Sequence, residues 1–144
     1  FAIELKSVRP EIILVAIGAN DAIFKKGIEQ ERQVSLDMYK ENLKQLFSLA
    51  KAASKHVFAV GLTIADDARV QPMPWGKEEK SYKMAILKEY DEVLRAVAQE
   101  AGVAYIDMWN LLTIQDLADG IHPNAVGYEK MYCKVYETTK GLLG

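Results

Sequence analysis

Residues 12–21 read IILVAIGAND, from Ile12 to Asp21, and the fold turns on this stretch. Ile12, Ile13, Leu14, Val15, Ala16 and Ile17 form a continuous apolar run rich in branched side chains, bounded by Pro10 and Gly18. A short uninterrupted apolar run between breakers is the pattern of a strand buried on both faces, and such strands build parallel sheets. A glycine at the strand exit lets the backbone turn sharply and come close to a ligand.

The flanking segments alternate in type. Residues 1–8 (FAIELKSV) read as the tail of a helix that stops at Arg9-Pro10, because proline disfavours the α conformation in the residue before it. After the strand, Tyr39, Leu43, Leu46, Phe47, Ala50 and Ala53 recur at three- and four-residue steps from Leu36 onward, with Ser35 as N-cap and Asp37 in the first turn. Val57 to Leu62 is a second strand, followed by a long loop holding Pro72, Pro74 and Gly76. Tyr82, Ile86, Tyr90, Val93 and Val97 mark another amphipathic helix, which Gly102 ends as a left-handed cap. Val103 to Ile106 is a third strand, and Ala125 to Lys140 a last helix with Asn124 as N-cap. No repeat or linker interrupts this order. Strands alternating with helices imply right-handed parallel crossovers and a sheet covered by helices on both faces, so the fold class is α/β.

Bulk composition narrows the function classes. At 144 residues the chain has the size of one domain, with 50% hydrophobic and 26% charged residues. A net charge of −2 offers no basic footprint for phosphates, which argues against a nucleic-acid partner. The longest apolar run falls far short of the roughly 20 residues of a membrane span. One cysteine, Cys133, excludes a disulfide within the chain and reads as a packing residue in the last helix. It leaves the compartment open, with the cytoplasm as default. Two histidines, His56 and His122, stand too far apart for a metal spacing, and no metal is assigned. His56 reads as a solvated or capping side chain. Tyr128, Tyr132 and Tyr136 repeat at four-residue steps and read as a stripe packed on the sheet.

In open parallel sheets ligands bind beyond the carboxyl ends of the strands. Two segments there carry chemistry. Gly18-Ala19-Asn20-Asp21 would aim an amide at the crevice, although four such residues equally suit an Asx turn. Asp119-Gly120-Ile121-His122-Pro123-Asn124 puts a carboxylate three positions before a histidine in a turn ahead of a helix. A carboxylate on Nδ1 fixes the tautomer and leaves Nε2 to take a proton as general base. The same hexapeptide also fits an Asp-Gly turn and an Asn cap with a solvated histidine between them. The loop Thr63 to Lys77, with Asp66, Asp67, Met73 and Trp75, follows a strand end and would border the crevice as a wall or lid.

Gly-x-Asn-Asp at the end of a parallel strand, followed about a hundred positions later by Asp-x-x-His before the last helix, resembles the third and fifth sequence blocks of the SGNH (GDSL-type) hydrolases. The resemblance runs from about residue 8 to the C-terminus. It implies a three-layer α/β/α sandwich with a parallel, flavodoxin-like sheet of strand order 2-1-3-4-5, of which the three strands here would be the third, fourth and fifth. By the same resemblance Gly18 shapes the turn, Asn20 donates to the oxyanion, Asp21 supports it, Asp119 is the triad acid and His122 the general base. The activity implied is hydrolysis of a carboxylic ester, of a small molecule, lipid or carbohydrate, with no cofactor.

The Gly-Asp-Ser block that holds the family's nucleophile is not in the sequence. Ser7 lies in the first helix tail, Ser35 reads as a cap, Ser48 and Ser54 lie within or at the end of one helix, and Ser81 opens the next. The chain begins on Phe1 with neither Met nor a leader pattern. Residues 1–144 are therefore expected to be the later part of a single SGNH domain whose first strands are missing, inactive alone and open to self-association through its bare sheet edge. The competing expectation is a non-catalytic α/β binding or assembly module on the same scaffold.

Overall fold

The computed structural model describes Val8, residues 10–76 and residues 79–142. The helix read over residues 1–8 and its stop at Arg9 fall, apart from Val8, outside the described residues.

Three parallel strands, β1 (Ile12–Val15), β4 (His56–Val60) and β6 (Ala104–Ile106), form the main sheet in the order β1-β4-β6. Ile12 pairs with His56 and Val15 with Ala59; Phe58 pairs with Ala104 and Val60 with Ile106. Helices α1 (Leu36–Ala53) and α3 (Met84–Glu100) cover one face, and α4 (Ala125–Thr139) lies on the other. This is an α/β/α sandwich. Alternation along the strands sorts the core into two layers. Ile13, Val15, Val57 and Ala59 pack with Tyr39, Leu43 and Phe47 of α1 and with Leu87, Leu94 and Val97 of α3. Phe58, Val60 and Ile106 pack on the other side with Met108 and, from α4, Met131 and Val135. Fully burying one such aliphatic or aromatic side chain contributes roughly 1.5–3 kcal/mol.

The helix ends follow local chemistry. Ser35 Oγ accepts from the Met38 amide at the start of α1, and Asn124 Oδ1 accepts from the Gly127 amide at the start of α4. Gly102 follows α3 with φ +65°, the left-handed conformation that a helix-ending glycine adopts without a Cβ clash. Ser54 closes α1, and its hydroxyl donates to the Glu11 carbonyl at 2.6 Å, tying that turn to the start of β1.

Several expectations are corrected. The run Ile12 to Ile17 is strand only to Val15, and Leu14 and Ile17 are exposed, so β1 is well buried on the α1 side alone. Tyr128, Tyr132 and Tyr136 are not core: their exposures are 57%, 65% and 43%. The row of α4 that packs on the sheet is the neighbouring one, through Met131 and Val135. Cys133 is exposed, not packed. Ser81 does not open a helix; it is buried in a two-residue strand, and α3 starts three residues later.

The sequence reading also passed over a small antiparallel sheet of β2 (Phe24–Lys25), β3 (Ile28–Arg32) and β5 (Lys80–Ser81), in the order β3-β2-β5. Lys26 and Gly27, the latter at φ +83°, make its two-residue hairpin turn. Within the loop after β4 there is one further helix, α2 (Asp67–Val70), capped by Asp66 Oδ1, which accepts from the Ala68 amide.

Among the described residues the outer edge of β1 pairs with no strand, and no proline or lysine stands between Ile12 and Ile17 to blunt it. Leu14 and Ile17 are exposed there, and Tyr128 of α4 lines the same cavity as Ile17. The purified chain is therefore expected to self-associate, with a scattering mass that rises with concentration, and Leu14→Lys should reduce the effect. A monomer of constant mass with cooperative unfolding would show that this edge closes itself.

Candidate active site

The three parallel strands end at one edge of the sheet, and a cavity of about 500 Å³ opens there. The segments leaving β1 and β4 line it through Gly18, Asn20, Asp21, Gly61 and Thr63. The turn ahead of α4 reaches the same cavity through Ile121 and His122.

Gly18 is fixed in place by two constraints. Its φ is +123°, and a Cβ there would run into the Tyr39 hydroxyl beneath it. That hydroxyl donates to the Ile17 carbonyl at 3.2 Å, so α1 holds the turn from below. The chain then coils through a tight turn in which the Ala22 amide donates to the Gly18 carbonyl. Asn20 stands exposed at its rim, and its Oδ1 accepts from the Tyr82 hydroxyl at 2.8 Å. Asp21 is half-buried beside it, and its backbone carbonyl accepts from the Val34 amide.

Asp119 and His122 form a locally closed unit. Asp119 Oδ2 lies 2.6 Å from His122 Nδ1, while Oδ1 accepts from the Ile121 amide at 3.1 Å and the His122 amide at 2.9 Å. Burial alone would raise the Asp119 pKa, but hydrogen bonds from the His122 ring and from the two amides outweigh it and hold the carboxyl below its ordinary value. An ionised carboxylate on Nδ1 selects the tautomer with its proton there. His122 Nε2 has no hydrogen-bond partner among the described residues and is left as an acceptor, on a residue that lines the cavity.

The turn itself is pinned from α2. Gly120 has φ +104°, and a Cβ on it would lie 2.8 Å from Arg69 Cβ and 2.9 Å from Val70 Cγ1. Its carbonyl accepts from the Asp66 amide at 2.7 Å, and the Arg69 guanidinium donates to the Leu117 and Ala118 carbonyls. Non-glycine residues in such a conformation cost of order 1–3 kcal/mol before any clash is counted. Trp75, exposed in the loop after β4, sets its ring 5.9 Å from the His122 ring at 43°.

Gly18, Asn20, Asp21 and His122 therefore line one cavity, with Asp119 bonded to the histidine. The contributors that sequence reasoning missed are Tyr82, which it assigned to packing in a helix, and Arg69. None of the described serines lines the cavity: Ser54 and Ser81 are bonded to backbone carbonyls, Ser35 caps α1 and Ser48 lies on α1, while Ser7 is outside the described residues. No group of three His, Cys, Asp or Glu able to hold a metal is present among the described residues, and none of their helices is long and apolar enough to cross a membrane.

A parallel sheet with helices on both faces, with an amide and a carboxylate–histidine pair at its carboxyl edge, is an arrangement found among α/β hydrolytic enzymes. Residues 1–130 match the GDSL-like lipase/acylhydrolase family, and the chain belongs to that family. It is 32% identical over 145 aligned positions to a multidomain esterase of Ruminococcus flavefaciens, covering 96% of this chain and 17% of that protein. It is 27% identical to a GDSL esterase/lipase of Arabidopsis thaliana, covering 91% of this chain and 59% of that protein. Solved structures share the fold: a lipase/acylhydrolase from Enterococcus faecalis has a TM-score of 0.76 at 23% identity, over 96% of this chain and 65% of that one. A GDSL-like lipase from Bacteroides thetaiotaomicron has a TM-score of 0.71 at 18% identity, over 98% of this chain and 69% of that one. The chain thus spans under two thirds of the length of these two sequence relatives.

Asp21 yields a test of the site's electrostatics. Burial raises its pKa above the ordinary 3.8, and its own backbone N–H offsets part of the rise. A carboxyl that ionises less readily folded than unfolded weakens the fold wherever it is charged. This cost is absent below the unfolded value, where both states hold the proton, and reaches its full size above the raised folded value. Asp21→Asn should therefore raise the melting temperature near neutral pH, and the gain should shrink to nothing as the pH falls below about 3.8. Melting curves across that range check it; a gain that persists unchanged in acid would contradict the burial account.

Proposed function

We propose that this chain supplies the acid–base and oxyanion groups of a serine esterase acting on carboxylic esters. His122 is the general base, Asp119 its carboxylate partner and Asn20 an oxyanion donor, with Gly18 shaping the turn and Asp21 supporting it. The observation that carries the reading is that Asn20 and His122, 102 positions apart in sequence, line the same cavity, with Asp119 bonded to Nδ1.

The nucleophile is a serine from a Gly-Asp-Ser segment outside residues 1–144, which form the later part of a single SGNH domain. Its hydroxyl attacks the acyl carbonyl as His122 Nε2 takes the proton. The tetrahedral oxyanion accepts from Asn20 Nδ2, and the imidazolium, stabilised by Asp119, returns the proton to the departing alcohol. Water then hydrolyses the acyl-enzyme through the same base. The serine-bearing segment pairs with the outer edge of β1, where Leu14 and Ile17 are exposed and Ile17 and Tyr128 line the cavity. The substrate is an ester of a small molecule, a lipid or a carbohydrate, in keeping with the esterase and lipase descriptions of the relatives.

One observation favours a second reading, a binding or assembly module on the hydrolase scaffold: none of the described serines lines the cavity.

Reconstitution separates the two. The chain alone should not turn over p-nitrophenyl acetate above a denatured control, and adding an N-terminal segment with the first two strands and the Gly-Asp-Ser block should produce turnover. A complex that forms without turnover favours the module. An acyl-enzyme burst from the chain alone that survives replacement of all five serines by alanine would contradict the assignment.

Within the active complex, Asn20→Ala should lower kcat by about 10²- to 10³-fold, the scale of losing one oxyanion donor. His122→Ala should cost at least as much. Wild-type rates from either variant, folded by circular dichroism, would mean the site has been misplaced.

A further inference from the structure

Asn20 carries an amide whose two ends differ in chemistry: only the Nδ2 end can donate to an oxyanion. Free in solution, a side chain at the rim of a cavity presents either end. Something must choose between them.

Tyr82 is placed to make that choice. Its side chain is buried, at 4% exposure, and its hydroxyl lies 2.8 Å from Asn20 Oδ1. This is the only hydrogen bond the hydroxyl makes among the described residues. A buried phenol keeps its proton hydrogen-bonded, and Asn20 Oδ1 is the one acceptor that the described residues offer it. The atom facing Tyr82 is therefore the amide oxygen, which accepts, and Nδ2 is turned the other way. The opposite orientation would set Nδ2 against the hydroxyl and leave the phenolic proton without an acceptor among the described residues.

Tyr82 is itself held from both sides. Pairing of Phe24 with Ser81 lays the residue before it against the chain that leaves β1. Its own amide donates to the Val70 carbonyl at 3.1 Å at the end of α2, and two residues on the Met84 amide donates to Asp67 Oδ1 at 2.7 Å. Burial, and then the negative charge of Asp119, push the phenol's pKa up, so the donor stays protonated at neutral pH.

We propose that Tyr82 is a positioning residue that fixes the Asn20 amide with its N–H toward the developing oxyanion. The inference rests on the reading of Asn20 as an oxyanion donor.

A double-mutant cycle in the serine-bearing complex tests it. Tyr82→Phe keeps the ring and removes only the hydroxyl. It should lower kcat by roughly 3- to 10-fold, the factor of one neutral hydrogen bond, with KM little changed. In an Asn20→Ala background the same change should have no further effect, because its route to the reaction is gone. A fluorinated tyrosine at position 82, with a more acidic phenol, provides a second readout. It should introduce an alkaline fall in kcat that the wild type lacks, since a phenolate would attract Nδ2 and turn the amide round. That fall should be missing when Asn20 is alanine.

An equal loss from Tyr82→Phe in both backgrounds, or a loss confined to KM, overturns the proposal and leaves the Asn20 assignment standing. If Asn20→Ala itself leaves kcat unchanged, the oxyanion assignment falls first and this inference with it.

Discussion

The parallel ladder of β1, β4 and β6 is the constraint on which the site depends. Parallel strands that pair in register deliver their carboxyl ends to one edge, and each following segment starts its turn there. Val15 lies beside Ala59 and Val60 beside Ile106, so Gly18–Asp21 and Gly61–Thr63 leave the sheet as neighbours. The floor beneath them is polar and bonded except at Asp91 Oδ2, which has no hydrogen-bond partner among the described residues and only Lys88 Nζ at 3.6 Å. Tyr39 donates to the Ile17 carbonyl, and the buried Asp91 Oδ1 accepts from both the Leu62 amide and the Tyr105 hydroxyl. Buried groups bonded in this way fix their neighbours tightly, because any slip would leave a donor or an acceptor unpaired in a low-dielectric setting.

The ladder alone does not assemble the site. The small antiparallel sheet clips the chain after β1 to the chain before α3, and α2 ties that same region to the turn of Asp119 and His122. Three loops that would otherwise move separately are thereby cross-braced through Tyr82, Asp66 and Arg69. These braces reach the core through Phe24, Val70 and Tyr82, but what they add to the site is alignment. Their contribution is geometric, holding an amide and an imidazole on one cavity when each hangs from a different strand end.

What was legible in the sequence divides along physical lines. Periodicity located the three strands and three longer helices, since burial on one or two faces leaves a repeat of two, of three to four, or none. The Asp119–His122 pair was legible because three-residue spacing in a turn suffices to bring the groups together. The hydrogen bond from Tyr82 to Asn20 spans 62 positions, and no local pattern encodes it. Strands of two residues, such as Phe24–Lys25 and Lys80–Ser81, are too short to show alternation. The α4 tyrosines show a further limit. A four-residue repeat establishes that Tyr128, Tyr132 and Tyr136 share a stripe, yet it does not say whether anything lies over that stripe. Here the adjoining row, with Met131 and Val135, meets Phe58, Val60 and Ile106, and the tyrosines fall to the side of it.

The two halves of the proposed site differ in how they are held, and this bears on which would fail first. Asp119 takes all three of its hydrogen bonds from Ile121 and His122, within four residues of chain, so the acid–base pair keeps its geometry as long as its own turn survives. Asn20 has no such local support. Its orientation depends on Tyr82, which depends in turn on β5 pairing with β2 and on the end of α2. Local opening of short elements requires less free energy than global unfolding, and a two-residue strand has few ladder hydrogen bonds to lose. Partial loosening of the fold would therefore disturb the oxyanion side while leaving Asp119 on His122. Stabilisation of the transition state would be lost before the ability to move a proton.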